Sequence, residues 1–159
     1  MGTGKTVVGK DLAKRLNKEF VEMDTVIAET EGREIVDIFD RKGEAYFRKL
    51  EKELLKELCL KTDLVISCGG GLICDEENLK RLKKTGIVFA LTASPLTIYQ
   101  RTKEQAHRPI LNVDDPQAKI RELLDKRDPY YKQAHHLIDT ENILPGEITG
   151  KIITILNNG

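Results

Sequence analysis

No surplus of charge marks this sequence: 26 Lys and Arg stand against 26 Asp and Glu, for a formal net charge of +0. A balance of that kind argues against a dedicated nucleic-acid or membrane-surface binder, though local basic clusters can still hold a small anion. Cysteine is scarce. Cys59, Cys68 and Cys74 are odd in number and form no C-x-x-C, which excludes a disulfide framework or a cysteine zinc site and suits a reducing cytoplasm. No apolar run reaches membrane-spanning length, and no signal peptide is visible. His135 and His136 are adjacent, so they cannot share one helix face as metal ligands. There is no internal repeat, low-complexity tract or interdomain linker. With 40% hydrophobic and 33% charged residues over 159 positions, one globular domain with a real core is expected.

The chain is organised around its first six residues, Met1-Gly2-Thr3-Gly4-Lys5-Thr6. They read as the second half of a phosphate-binding loop, G-x-x-x-x-G-K-[ST], which runs from a buried strand into a helix. Glycines let backbone N–H groups close around phosphate oxygens, and the helix points its positive end at the same anion. Lys5 is placed to reach the β- and γ-phosphates, and the Thr6 hydroxyl to bind Mg²⁺. The competing reading is a glycine-rich start to an ordinary helix with a solvated Lys5. Val7, Val8, Leu12 and Leu16 recur at helical spacing, as a phosphate loop requires of the helix it opens. The opening glycine and the strand before it are missing, so a truncated or misplaced start at Met1 is expected.

Helix Lys5–Asn17 leads to a short strand, Phe20–Met23, ending at Asp24. A carboxylate at the C-terminal end of a strand sits where open α/β sheets bind ligands. Asp24 is therefore a candidate general base; capping the next turn is the equal alternative. A short helix over Glu34–Phe39 and a longer one from Gly43 to about Cys59 follow. On the latter, Arg48 and Glu51 are three apart and can pair. Such a pair is either a surface ion pair of little consequence or a device that aims Arg48 at a carboxylate. Asp63–Cys68 is a continuous apolar run, read as a buried parallel strand, and Gly69-Gly70-Gly71 after it let a ligand approach the backbone. Cys68 reads as strand filler. Then come a helix over Asp75–Lys84, a strand over Ile87–Leu91, and a helix over Leu96–Lys103 with Ser94 as N-cap and Pro95 as its first residue. Residues 105–112, broken by Pro109, read either as a mobile flap carrying Arg108 or as a plain surface loop. Helix Pro116–Lys126, which residues 126–131 either continue or end, Arg127 as a second anion-binding candidate, Tyr130 and Tyr131 as packing, strand Leu137–Thr140 and helix Ile148–Leu156 complete the chain. Strands alternating with helices predict an α/β fold: a parallel sheet flanked by helices.

Several short patterns occur in one order: Gly4-Lys5-Thr6, Asp24 with Ile27, Gly32-Arg33 then Asp37-Ile38-Phe39, Gly43-Glu44 then Phe47-Arg48 and Glu51, Ser67 through Gly71, Arg108-Pro109 with Leu111, and Arg127 with Tyr130. In that combination the whole chain resembles shikimate kinase. The resemblance implies a three-layer P-loop kinase fold with a mobile lid, at about residues 104–115, and a substrate-binding helical segment at about 25–58. It implies ATP- and Mg²⁺-dependent phosphorylation of the shikimate 3-hydroxyl in aromatic amino-acid biosynthesis, by a cytoplasmic monomer with no nucleic-acid or membrane partner. Gly2, Thr3, Gly4, Lys5, Thr6 and Val7 would hold the nucleotide, with Arg101 against the adenine and Arg108 on the phosphates. Asp24 would bind the shikimate hydroxyls and take the proton. Arg48 and Arg127 would bind its carboxylate, Glu51 would orient Arg48, and Gly69, Gly70 and Gly71 would lie against the ring. Thr6 and Glu22 would serve Mg²⁺.

The chain departs from the family pattern in three places. The first central strand and the first loop glycine are absent, which would leave ladder hydrogen bonds open on two neighbouring strands. Glu22 stands where the family usually has Asp. The loop Glu141–Leu144 lacks the arginine often found beside the adenine. Two other functions remain to be set against the kinase: a non-catalytic relative that binds shikimate or nucleotide, and a kinase for gluconate or another polyol. A neutral polyol needs no carboxylate clamp, so against such a polyol the arginines favour shikimate.

Overall fold

The computed structural model describes residues 2–103 and 113–158. The expected lid, with Arg108, lies almost wholly outside the described residues.

Helix α1 (Lys5–Leu16) starts from Gly4, whose φ of 84° is in the left-handed region that glycine adopts freely. It ends at Asn17, also left-handed, whose N–H returns to the carbonyls of Ala13 and Lys14. Strand β1 (Glu19–Glu22) pairs in parallel with β2 (Leu64–Ser67), in the register Glu19 to Leu64 through Glu22 to Ser67. Strand β3 (Phe89–Thr92) pairs in parallel with β4 (His136–Asp139), from Phe89 with His136 to Thr92 with Asp139. Parallel neighbours need long crossovers. Helices α2 (Met23–Glu31) and α3 (Ile35–Leu58) join β1 to β2, and α4 (Glu76–Thr85) joins β2 to β3. On the path from β3 to β4 lie α5 (Pro95–Thr102) and α6 (Pro116–Tyr131), and α7 (Pro145–Asn158) closes the chain against α1.

The apolar positions of α1 and α7 meet β4 in one core cluster: Val8, Leu12, Ile138, Ile148 and Ile152 are all buried. A second, built on Val21, Met23, Leu55, Leu58 and Leu72, seats α3 against β1. Among the described residues β2 and β3 do not pair with each other. Instead both line one cavity of about 570 Å³. No helix of the described residues is long and apolar enough to cross a membrane.

Gly43, with non-helical φ 80° and ψ 168°, divides α3 into two helices at a kink, as the sequence reading expects. Asp24 lies in the first turn of α2, and the N-cap position belongs to Glu22, so Asp24 is not the cap. Of the two readings of residues 126–131, continuation holds: helix α6 runs through Pro129 to Tyr131. Pro129 forfeits one helical hydrogen bond, yet the extra turn brings Tyr131 to the functional site. A short 3₁₀ turn, Leu72–Cys74, follows the glycine triplet.

Candidate active site

The loop at residues 2–4 and the start of α1 present backbone N–H groups that no side chain caps, and the first turn of α1 holds no acidic residue. That is the electrostatic form of an anion site. Lys5 is half-buried, while Thr6 and Val7 are exposed. Thr3 is buried, and its hydroxyl has no partner among the described residues. Arg101 ties this loop down: its guanidinium donates to the Gly2 carbonyl at 3.4 Å, to Thr140 Oγ1 at 3.0 Å and to the Thr140 carbonyl at 2.9 Å. These bonds lie in the guanidinium plane, so they use its edges and not its faces.

At the C-terminal end of β1, Glu22 accepts from Ser67 Oγ at 2.8 Å through Oε1. Its other oxygen is buried with no hydrogen-bond partner among the described residues. A carboxylate fixed at one oxygen and open at the other suits a hard divalent cation, which takes one or two carboxylates and leaves its other positions to phosphate and water. The unpartnered oxygen of Glu22 and the hydroxyl of Thr6 are donors of the hard oxygen type that fits Mg²⁺. Among the described residues no cluster of three His, Cys, Asp or Glu side chains forms an all-protein metal cage.

Opposite the loop, the kinked helix α3 delivers Arg48. Its Nη1 pairs with Glu51 Oε2, while Nε and Nη2 hold Glu44 Oε1 at 3.2 and 3.0 Å. The Glu51 side chain is only 1% exposed and that of Arg48 30%. The pair is thus anchored at its carboxylate end and open at its cationic end, which rules out the surface-pair reading. Burial works against the Arg48 charge, but the Glu51 and Glu44 carboxylates outweigh it and hold the guanidinium firmly protonated.

The glycine triplet has a steric reason. A Cβ on Gly71 would come within 2.6–2.9 Å of three guanidinium atoms of Arg48. A Cβ on Gly69 would meet Glu51 Oε1 at 2.6 Å and stand 3.6 Å from Asp24 Oδ1. Asp24, Glu51 and the triplet therefore converge. Cys68 sits among them: burial, then Glu51, push its thiol up to about 12 despite Lys5, so it is inert packing. Arg127 is buried on α6, and Tyr131, one turn further on, donates its hydroxyl to the Gly70 carbonyl at 3.1 Å.

Burial, and then Asp24, raise the Glu51 carboxyl above its ordinary 4.5, although Arg48 and Arg127 pull it down. A carboxyl that keeps its proton longer when folded stabilises most below the ordinary range and loses that contribution as pH rises through its raised value. The urea midpoint of the wild type should accordingly fall, relative to Glu51→Gln, as pH climbs from about 4.5. A constant difference between the two proteins would contradict this.

The family profile described as "Shikimate kinase" matches residues 1–157. The chain belongs to the shikimate kinase family. It is an ATP-dependent small-molecule kinase. A shikimate kinase of Thermodesulfovibrio yellowstonii is 48% identical over 153 residues, covering 96% of this chain and 88% of that protein. The solved structure of the Acinetobacter baumannii shikimate kinase in complex with shikimate superposes with a TM-score of 0.95 at 40% identity, over 99% of this chain and 89% of that one. A gluconokinase from Sinorhizobium meliloti reaches a TM-score of 0.63 at 16% identity, over 99% of this chain and 87% of that one, a likeness of fold alone. The expected fold thus stands: α/β, of the P-loop kinase type.

Three contributors escaped the reading of the sequence. Tyr131 reads as packing from the sequence, yet it pins Gly70; its spacing of four from Arg127 on a helix is the signal that points to it. Ser67 steadies Glu22, and Glu44 shares Arg48 with Glu51. Arg108 lies outside the described residues.

Proposed function

We propose that the chain transfers the γ-phosphoryl group of ATP to the 3-hydroxyl of shikimate, acting as a cytoplasmic monomer. The observation that carries this reading is the convergence of Asp24, the Arg48–Glu51 pair and the glycine triplet. A planar guanidinium held from behind by two carboxylates leaves its outer edge for a third, the shikimate carboxylate. Arg127 supplies the second cation. The helical segment at about 25–58 is the substrate-binding part.

Asp24 accepts the proton of the 3-hydroxyl as its oxygen bonds to the γ-phosphorus, and the bond from that phosphorus to the bridging oxygen breaks to release ADP. Residues Gly2 through Val7 cradle the phosphates, and Lys5 offsets charge on the β- and γ-oxygens. Thr6 and Glu22 would hold Mg²⁺, which would supply charge neutralisation for the phosphates. Arg101 offers a guanidinium face to the adenine, and Arg108 reaches the phosphates from the lid at about 104–115. Catalysis then rests on positioning and charge neutralisation, with little covalent work for the protein.

Calorimetric titration with shikimate and with its methyl ester tests the substrate assignment. Losing the carboxylate from a clamped charge pair costs about 2–5 kcal/mol, so the ester should bind at least about 30-fold more weakly. Equal binding of acid and ester, or a preference for gluconate, would sink the reading. The glycine triplet gives a second test. Gly71→Ala must move Arg48 off its carboxylate partners, because the added methyl occupies the guanidinium's place. Loss of one charge-assisted contact, about 1.5 kcal/mol, should raise KM for shikimate roughly tenfold with little change in kcat. An unchanged KM would show that Arg48 does not touch the substrate.

A further inference from the structure

We infer, on the reading of shikimate as the substrate, that Tyr131 is a positioning residue for the substrate carboxylate: its hydroxyl locks the Arg127 guanidinium to the Gly70–Gly71 peptide.

The glycine triplet explains why such a lock is needed. Three glycines in a row have no side chains to restrict the backbone, so their geometry must be fixed from outside. Two of the three carbonyls are held by the turn that follows. The Leu72 N–H donates to the Gly69 carbonyl at 3.1 Å, and the Cys74 N–H to that of Gly71 at 3.1 Å. The middle carbonyl, that of Gly70, takes its bond from the Tyr131 hydroxyl at 3.1 Å, from 61 residues further along the chain. The peptide bonds of the described residues are trans. A trans peptide is planar, with its C=O and N–H opposed. Holding the Gly70 carbonyl therefore also aims the Gly71 N–H. A Cβ on Gly71 would run into Arg48, so the peptide that Tyr131 holds lies beside the first cation of the clamp.

The same hydroxyl meets the second cation. Arg127 stands one turn earlier on α6, where side chains four apart share a helix face. Burial pushes the Tyr131 phenol up, and Arg127, by its charge and then by a side-chain hydrogen bond, pulls it part of the way back. The proton therefore stays on the oxygen. A phenol has one proton to give and a guanidinium accepts none, so both bonds have one possible direction. Arg127 donates to the hydroxyl oxygen, and the hydroxyl donates to Gly70. Bonds chained in this way polarise and strengthen one another. Arg48 is aimed by the carboxylates of Glu51 and Glu44. Arg127 is aimed by a neutral hydroxyl, which directs it without neutralising it. A tyrosine that only packs would be indifferent to the loss of its oxygen.

The test is Tyr131→Phe, which removes the oxygen and keeps the ring. Calorimetric titration compares shikimate with its methyl ester on the wild type and on the variant. The acid should bind the variant about tenfold more weakly, the loss expected of one hydrogen bond to a charged group. The ester and ADP should bind nearly as before. KM for shikimate should rise by the same factor, with kcat unchanged. A cycle with Arg127→Lys identifies the route: if Tyr131 acts through Arg127, the double variant should lose less affinity than the two single losses multiplied. Unchanged affinity for the acid in Tyr131→Phe would overturn the proposal, as would a double variant whose losses multiply. Equal losses of acid and ester affinity, together with a lowered urea midpoint, would make Tyr131 a structural residue and overturn it too. The wild type alone reads the substrate assignment. Equal binding of acid and ester there refutes that assignment and the lock with it. A wild type that prefers the acid, beside a variant that prefers it undiminished, refutes the lock alone.

Discussion

Asp24→Asn should lower kcat by about 10²–10⁴ while leaving shikimate binding nearly intact, the range expected for removing a positioned general base. The side chain stands in the first turn of α2, just past the C-terminal end of β1, and a methyl added to Gly69 would lie 3.6 Å from its Oδ1. Asparagine keeps the size and most hydrogen-bonding capacity of the site but cannot take a proton. The effect should therefore fall on kcat and spare the calorimetric Kd for shikimate. A near wild-type kcat would refute the assignment of the base. A kcat loss matched by an equal loss of binding would make Asp24 a binding group alone.

Arg48→Ala is the second large effect, and it has two parts. It removes the carboxylate clamp, and it leaves Glu51 buried without its cation. Breaking a buried pair from one side costs about 3–5 kcal/mol of stability. Because Glu51 is already pushed toward its neutral form by burial, protonation softens that cost, and the lower end is expected. The two parts separate in the double variant Arg48→Met/Glu51→Leu. Apolar side chains of similar length should restore the urea midpoint toward wild type, since replacing a whole buried pair is often neutral. Shikimate affinity should stay at least about 30-fold reduced. If binding returns together with stability, Arg48 is a structural residue and the clamp lies elsewhere. Arg48→Lys should recover only part of the affinity, because an ammonium cannot make the parallel two-point contact.

The sequence made the chemistry legible wherever spacing alone determines it. Arg48 and Glu51 are three apart on a helix, so their pairing was readable, but the burial that makes it more than a surface pair was not. That burial comes from the glycine triplet of a distant segment closing over Glu51. The triplet itself announced a close approach of something; that two side chains of the same protein come as near as any ligand was not readable. Asp24 lies just past the end of β1, yet helix α2 begins two residues earlier than a cap at Asp24 would give, with Glu22, the last residue of β1 and the register partner of Ser67, at the cap position. Tyr131 was hidden by Pro129, a residue that reads as a helix stop and here sits inside the last turn. Among the described residues β2 and β3 are each paired along one edge. The enclosed apolar cleft between them is a tertiary feature, made by α1 and α7 on one side and α3 and α4 on the other.

The most direct measurement is ADP release with Mg·ATP, with and without shikimate, by this chain and by the same chain carrying an apolar strand and loop glycine ahead of Met1. Shikimate-dependent release is expected, matched one-to-one by a phosphorylated product, with the strand-fused protein at least as fast as the other. A folded, nucleotide-binding, strand-fused protein that releases no ADP in response to shikimate would contradict it.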